Sequence, residues 1–145
     1  MSTNALRFFA PLGRLLLSLI FIASAAGKLS DWQSPAKMMA DKGVPAVDVL
    51  LSIAIALELF GGVLMLLGWH TRFGALALLV FLVPVSLIIH NFWTLPEGPE
   101  RMNQMIGFMK NVSISGGLVM VMALGPGPLS IDALRQPRAK SAAGP

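Results

Sequence analysis

Residues 47–90 read "VDVLLSIAIALELFGGVLMLL" (47–67), "GWHTR" (68–72) and "FGALALLVFLVPVSLIIH" (73–90), and this stretch decides the fold. A helix of about 20 apolar residues crosses the hydrocarbon core of a bilayer. Only helices and closed barrels satisfy their backbone hydrogen bonds in lipid, so each apolar run is predicted to be a transmembrane helix. The short connection between them makes the two helices antiparallel neighbours.

Two further apolar runs, 12–27 and 102–124, extend this hairpin to four spans. The chain has 145 residues, of which 55% are hydrophobic and 12% charged, whereas globular domains carry about 25% charged residues. A soluble fold of this size could not bury so much apolar surface. We therefore predict an all-α, integral membrane four-helix antiparallel bundle over residues 1–128, followed by a cytoplasmic tail, 129–145, that is disordered at its end.

The first run has a second interpretation. Arg7 and Arg14 precede an apolar stretch that ends in "ASAAG" (23–27), which also resembles a signal peptide with a small-residue cleavage site. In the loop that follows, Ser34 and Pro35 form a helix start signal, and Gly43 is a stop signal. We expect a short helix there at the membrane interface, anchored by Trp32, with an irregular loop as the alternative.

The charged residues predict orientation and exclude several functions. If both termini are cytoplasmic, six Lys and Arg residues lie on that side and four on the other, as the positive-inside rule requires. The net charge of +4 comes with no basic stripe interleaved with aromatic residues, so we predict no nucleic-acid partner. Cysteine is absent, which excludes disulfides and thiolate metal sites. His70 and His90 bound opposite ends of the third helix, about 30 Å apart, so we predict no haem or metal.

Polar residues inside the apolar runs are the candidates for a site. Glu58 lies near the middle of helix two, and Lys110 lies within about 7 Å of it in depth on helix four. Ionised groups within a membrane normally face the bundle interior and pair, which predicts an ion pair between these two residues. Together they predict a polar pocket in the outer half of the bundle, with Glu58 as its floor. The remaining candidate residues of this pocket are Lys28, His90, Asn91 and Asn111. The alternative is a structural ion pair that only fixes the register of the helices.

Four ordered motifs resemble the DoxX family of small bacterial inner-membrane proteins. They are "SAAGKL" (24–29), "ALELFGGVLMLLG" (56–68), "HNFW" (90–93) and "GFMKNVSISGG" (107–117). The resemblance implies a four-helix bundle in the inner membrane. It also implies an association with quinone-linked oxidation of thiosulfate or with membrane complexes that handle oxidative and thiol stress. The positions that match the family pattern are Lys28, Glu58, His90, Asn91, Lys110 and Asn111.

Three functions fit these observations. The first is a redox-associated subunit that binds a quinone or a similar amphipathic molecule in the polar pocket. The second is a transporter for a small solute, which would need a homo-oligomer because four short helices enclose only a narrow conduit. The third is a scaffold without catalytic activity that inserts beside the subunits of an oxidoreductase. We expect lipid contacts in each case, and no residue is assigned a catalytic role.

Overall fold

The computed structural model describes residues 7–135, and the predicted disordered end of the tail lies outside this range. The described chain is helical and contains four helices that are long and apolar enough to cross a membrane. This confirms the predicted fold class. The helices are α1 (Phe9–Ser30), α2 (Gln33–Asp41), α3 (Val47–Leu67), α4 (Thr71–Ile88), α5 (Pro99–Leu124) and α6 (Ile131–Arg135), with a 3₁₀ turn at Phe92–Thr94.

Two of the membrane helices, α1 and α5, extend past the apolar runs that predicted them. Helix α1 is longer than the predicted span 12–27 at both ends, and α5 begins at Pro99 rather than at residue 102. Proline suits the first turn of a helix because it lacks an N–H group that would have no partner there. Large apolar side chains are exposed on every membrane helix, as surfaces that contact lipid require.

Helix α3 is central to the packing, because it contacts both α1 and α4, while α5 packs on α4. Two adjacent glycines make the close approach possible. A Cβ atom on Gly61 would lie 2.9 Å from the carbonyl oxygen of Gly74 on α4, and one on Gly62 would lie 2.8 Å from a side-chain carbon of Ile22 on α1. Gly61 therefore allows α4 to pack closely on α3, and Gly62 allows α1 to do so.

Helices α1 and α5 touch only sparsely, which leaves a seam between them. The side chain of Leu17 lies against Gly117 in the half of the seam toward the chain termini. The other half borders the cavity described below. We call the end of the bundle with the 68–70 loop and residues 125–135 the termini face, and the opposite end the cavity face.

A group of contacts that we call the terminal clasp holds together the segments of the termini face. The buried guanidinium of Arg14 donates hydrogen bonds to the carbonyl oxygens of Pro126 and Leu129. The Asp132 carboxylate accepts hydrogen bonds from the backbone N–H groups of His70 and Thr71 and from the Thr71 hydroxyl. Burial opposes ionisation of Asp132, but these hydrogen bonds outweigh it and hold its pKa below the ordinary value.

Helix α2 confirms the predicted short helix between the first two spans. Asp31 accepts hydrogen bonds from the hydroxyl and backbone N–H of Ser34, and these bonds lower the pKa of Asp31. The Trp32 ring packs beside Ala25 and Leu51, and its indole N–H donates to Asp48 at 2.9 Å. Trp32 thus attaches the loop to the bundle itself.

Candidate functional site

A cavity of about 220 Å³ lies on the α1–α5 seam. It is lined by residues from all four membrane helices and by His90, which follows α4. Apolar side chains such as Ile20, Phe81 and Ile114 form part of its wall. The polar lining residues are Ser24, Lys28, Glu58, His90, Lys110 and Asn111. The structure therefore brings together five of the six residues that the sequence nominated for this pocket.

Glu58 forms its ion pair with Lys28, so the predicted pair between Glu58 and Lys110 is wrong. The Lys28 ammonium lies 3.0 Å and 2.9 Å from the two carboxylate oxygens of Glu58. The Glu58 side chain is 1% exposed, whereas that of Lys28 is 21% exposed. Burial of an ionised carboxylate is costly without a charged partner, and Lys28 provides that partner.

The packing order of the helices explains the correction. Depth along the membrane normal matched Glu58 to Lys110, but depth does not determine which way a side chain points around its helix. Helix α1 packs directly on α3, and this places Lys28, near the end of α1, beside Glu58. Helix α5 packs on α4 instead.

Two residues that the sequence did not nominate complete the environment of Lys28. Its ammonium donates to the Ser24 hydroxyl at 2.5 Å and lies 5.5 Å from the centre of the Phe81 ring. The ring face of an aromatic residue attracts a cation at such a distance. Ser24 precedes Lys28 by one helical turn, a spacing that could have indicated the contact.

Lys110 and Asn111 contribute polar groups that have no protein partner among residues 7–135. Neither the Lys110 ammonium nor the Asn111 amide forms a hydrogen bond or an ion pair with another side chain or backbone group in this range. Asn111 is only 5% exposed. The Asn111 amide borders the open space of the cavity, so this part of the wall is suited to a ligand or to ordered water.

His90 is held by α5. Its Nδ1 atom lies 2.8 Å from Oε1 of Gln104. Gly107 makes room for the ring, because a Cβ atom there would lie 2.6 Å from the same nitrogen. The sequence nominated His90 but missed Gln104 and Gly107 as the residues that position it.

Asn91 lies outside the lining of the cavity. Its side-chain oxygen accepts a hydrogen bond of 2.6 Å from Lys42, which follows α2. This contact joins the loop after α2 to the loop after α4. The sequence assigned Asn91 to the pocket from its position in the outer half of the bundle, but the chain turns into the 3₁₀ segment at this point.

The fold and the site define a class, a small multi-pass helical membrane protein with a polar cavity that one ion pair crosses. Comparison with known proteins gives the family, because the DoxX family profile matches residues 9–91. The chain belongs to the DoxX family, as its motifs predicted. The match includes Lys28 and Glu58, while Lys110 and Asn111 lie beyond its end.

Similar proteins come from bacteria and from eukaryotes. Inner membrane protein YqjF of Escherichia coli is 34% identical over 121 residues, which is 83% of this chain and 87% of the relative. Inner membrane protein YphA of the same organism is 31% identical, over 83% of this chain and 86% of the relative. A surfeit locus protein 4 homolog of Drosophila melanogaster is 33% identical, but over only 38% of its own length. No solved structure gives a significant match.

Proposed function

We propose that the chain is a redox-associated subunit of the bacterial inner membrane that binds the head group of a quinone, or of a similar amphipathic molecule, in the cavity. The observation that carries this proposal is the pair of unpartnered polar groups on α5, Lys110 and Asn111, in the wall of the cavity. An ammonium group and an amide both donate hydrogen bonds, and quinone carbonyl oxygens accept them.

The ion pair leaves Lys110 free for this role. Lys28 neutralises Glu58, and both carboxylate oxygens of Glu58 accept hydrogen bonds from the Lys28 ammonium. The Lys110 ammonium is therefore the uncompensated positive charge at the cavity, which favours a ligand with electron-rich oxygens. Lys28 and Glu58 form the polar wall behind it.

The size and position of the cavity favour a ligand that is only partly enclosed. Its volume of about 220 Å³ is below the range of roughly 300–1,000 Å³ that encloses drug-sized ligands. The cavity borders the seam between α1 and α5, which touch only sparsely. A single ring can occupy the recess while its apolar tail passes through the seam into lipid.

Electron transfer requires a partner. The chain has no cysteine, so its own side chains supply no thiol chemistry. We propose that subunits of an oxidoreductase exchange electrons with the bound quinone, and that both termini of this chain face the cytoplasm. The proposed orientation of the termini rests on the excess of Lys and Arg residues on the cytoplasmic side.

Binding to the purified full chain tests the proposal. A benzoquinone with a short alkyl tail would be titrated calorimetrically into the protein in detergent. We expect Lys110→Met to weaken binding about tenfold or more, because a hydrogen bond to a charged donor is lost. Lys37→Met is the control, because Lys37 is exposed on α2 and pairs with Asp41 outside the cavity. Equal affinity of wild type and Lys110→Met would refute the assignment.

The scaffold is the second candidate, and the completeness of the Lys28–Glu58 pair favours it. Every polar atom of this pair has a partner, as in a contact that fixes helix register. In a scaffold, Lys28→Met combined with Glu58→Gln would preserve the activity of the oxidoreductase complex, since apolar replacements often substitute for a buried pair. A quinone-binding subunit would lose that activity in Lys110→Met instead.

A further inference from the structure

A second recess lies on the termini face, at the opposite end of the molecule from the candidate quinone site. Its volume is about 500 Å³. Its walls are the first turn of α4 with His70, residues 124–126 at the end of α5, and two residues of α6, Asp132 and Arg135. The recess is therefore built by segments that the terminal clasp holds together.

The recess carries excess positive charge. Arg72 and Arg135 both line it, and neither forms an ion pair within residues 7–135. The single carboxylate in the wall, Asp132, already accepts hydrogen bonds from the backbone N–H groups at the start of α4 and from the Thr71 hydroxyl. Arg72 has one long contact, 3.5 Å, to the Ala123 carbonyl oxygen, and Arg135 lies over the ring of Trp69 at 5.6 Å. Both guanidinium groups keep donors available.

The rim of the recess is apolar and faces the lipid. Phe73 is 67% exposed and Leu124 is 74% exposed, and they lie at the ends of two membrane helices. Trp69 lies at the same level, where aromatic side chains mark the boundary between hydrocarbon and head groups. The recess thus has two arginines inside it and an apolar rim that acyl chains can cover.

We propose that this recess binds the phosphate group of an anionic phospholipid. Guanidinium groups match phosphate oxygens with paired hydrogen bonds, and basic pockets at the ends of membrane helices recognise anionic head groups. Arg72 and Arg135 contact the phosphate, and the acyl chains pass along Phe73 and Leu124. The lipid bridges α4 and α6, so it stabilises the terminal clasp.

Thermal unfolding of the full chain in a neutral detergent tests this proposal. Each sample receives dioleoyl phosphatidylglycerol, dioleoyl phosphatidylcholine or inorganic phosphate. We expect phosphatidylglycerol to raise the Tm of the wild type by about 4 °C more than phosphatidylcholine does. Arg72→Gln combined with Arg135→Gln removes this difference and weakens the phosphatidylglycerol affinity about tenfold or more.

The control is Lys37→Gln combined with Arg101→Gln, which removes the same charge from exposed residues on the cavity face. This variant keeps the preference for phosphatidylglycerol. Because each comparison is between two lipids on one variant, a change in basal stability cancels. Arg72→Lys combined with Arg135→Lys gives a second check, since it keeps the charge and part of the preference.

Three results would overturn the proposal. The first is an equal Tm shift from both lipids in the wild type, which means that the head-group charge is not recognised. The second is a preference for phosphatidylglycerol that survives in Arg72→Gln/Arg135→Gln. The third is a shift from inorganic phosphate as large as that from phosphatidylglycerol, which identifies free phosphate as the occupant.

Discussion

At the scale of single residues, the charge of the cavity depends on how Glu58 is compensated. Lys28 supplies one full counter-charge at 2.9 Å, and Ser24 and Phe81 also contact that ammonium. Among the Lys and Glu side chains that line the cavity, Lys110 then lacks a counter-charge within residues 7–135. The polar residues divide into a self-contained ion pair and a donor surface on α5.

The two members of the ion pair are predicted to differ in their effect on stability. Lys28→Met leaves the Glu58 carboxylate buried without a counter-charge, which we expect to cost about 3 kcal/mol in the free energy of unfolding. Glu58→Gln costs less, because Lys28 is partly exposed and can extend toward the interface. Unfolding in detergent measures both values.

A double variant isolates the coupling between these two residues. Lys28→Met/Glu58→Gln should be more stable than Lys28→Met alone, because no ionised group remains at the site. Additive losses of stability in the double variant would contradict the ion pair at this position.

Gly107 is predicted to be essential for the position of His90. In Gly107→Ala the new methyl group would lie 2.6 Å from the His90 ring, so the ring must move and its contact with Gln104 is lost. We expect a loss of about 1–2 kcal/mol in the free energy of unfolding, measured in detergent.

Gly116→Ala is the matched control on the same helix. Nothing lies within 4 Å of a Cβ atom at Gly116, so this change should be neutral or stabilise α5 by up to about 1 kcal/mol. If both alanine variants are equally stable, the packing of His90 against Gly107 is not needed for the fold.

At the scale of helices, the approach of α3 to its neighbours is predicted to depend on the absence of side chains at Gly61 and Gly62. In Gly61→Ala the methyl group would meet the backbone of Gly74, which cannot move without shifting α4. We expect a loss of about 1–3 kcal/mol in the free energy of unfolding. Gly13→Ala on α1 serves as the control, because nothing lies within 4 Å of a Cβ atom there. Equal stability of the two variants would argue against close packing of α3 on α4.

The sequence was sufficient to predict which stretches form helices and, in part, which faces are buried. Glu58 and Asn111, which the sequence assigned to the pocket inside the bundle, are 1% and 5% exposed. The partner of Glu58 was not predictable, since hydropathy and depth do not fix the order in which helices pack. The contacts of Arg14 with residues more than 100 positions away also lacked any local signal.

At the scale of the whole molecule, the two ends of the α1–α5 seam differ. Toward the termini face, Leu17 packs on Gly117 and the terminal clasp connects Arg14 to the segment after α5. Toward the cavity face, the seam borders the recess with Lys110. Both ends of the seam border a recess, but only the recess toward the cavity face contains the Lys28–Glu58 pair and Lys110.

The terminal clasp makes the stability of the whole bundle dependent on the ionisation of Asp132. The hydrogen bonds to its carboxylate lower its pKa in the folded chain relative to the ordinary value of about 3.9. A carboxylate with a lowered pKa stabilises the fold fully above that ordinary value, and this stabilisation is lost as the pH falls through the folded pKa. Asp132→Ala should therefore cost about 1 kcal/mol near neutral pH, because α4 loses the acceptor for its first N–H groups.

This prediction is checked by comparing thermal unfolding of wild type and Asp132→Ala between pH 7 and pH 3. The difference in stability should remain constant down to about pH 5 and shrink below about pH 4. At low pH the wild type becomes protonated at Asp132 and loses the stabilisation that its carboxylate provides, and the variant has no such stabilisation to lose. Asp41→Ala is the control, because Asp41 pairs only with the exposed Lys37. The control should match the wild type within about 0.5 kcal/mol throughout. A difference for Asp132→Ala that stays constant to pH 3, or grows, would show that the clasp does not depend on the charge of this carboxylate.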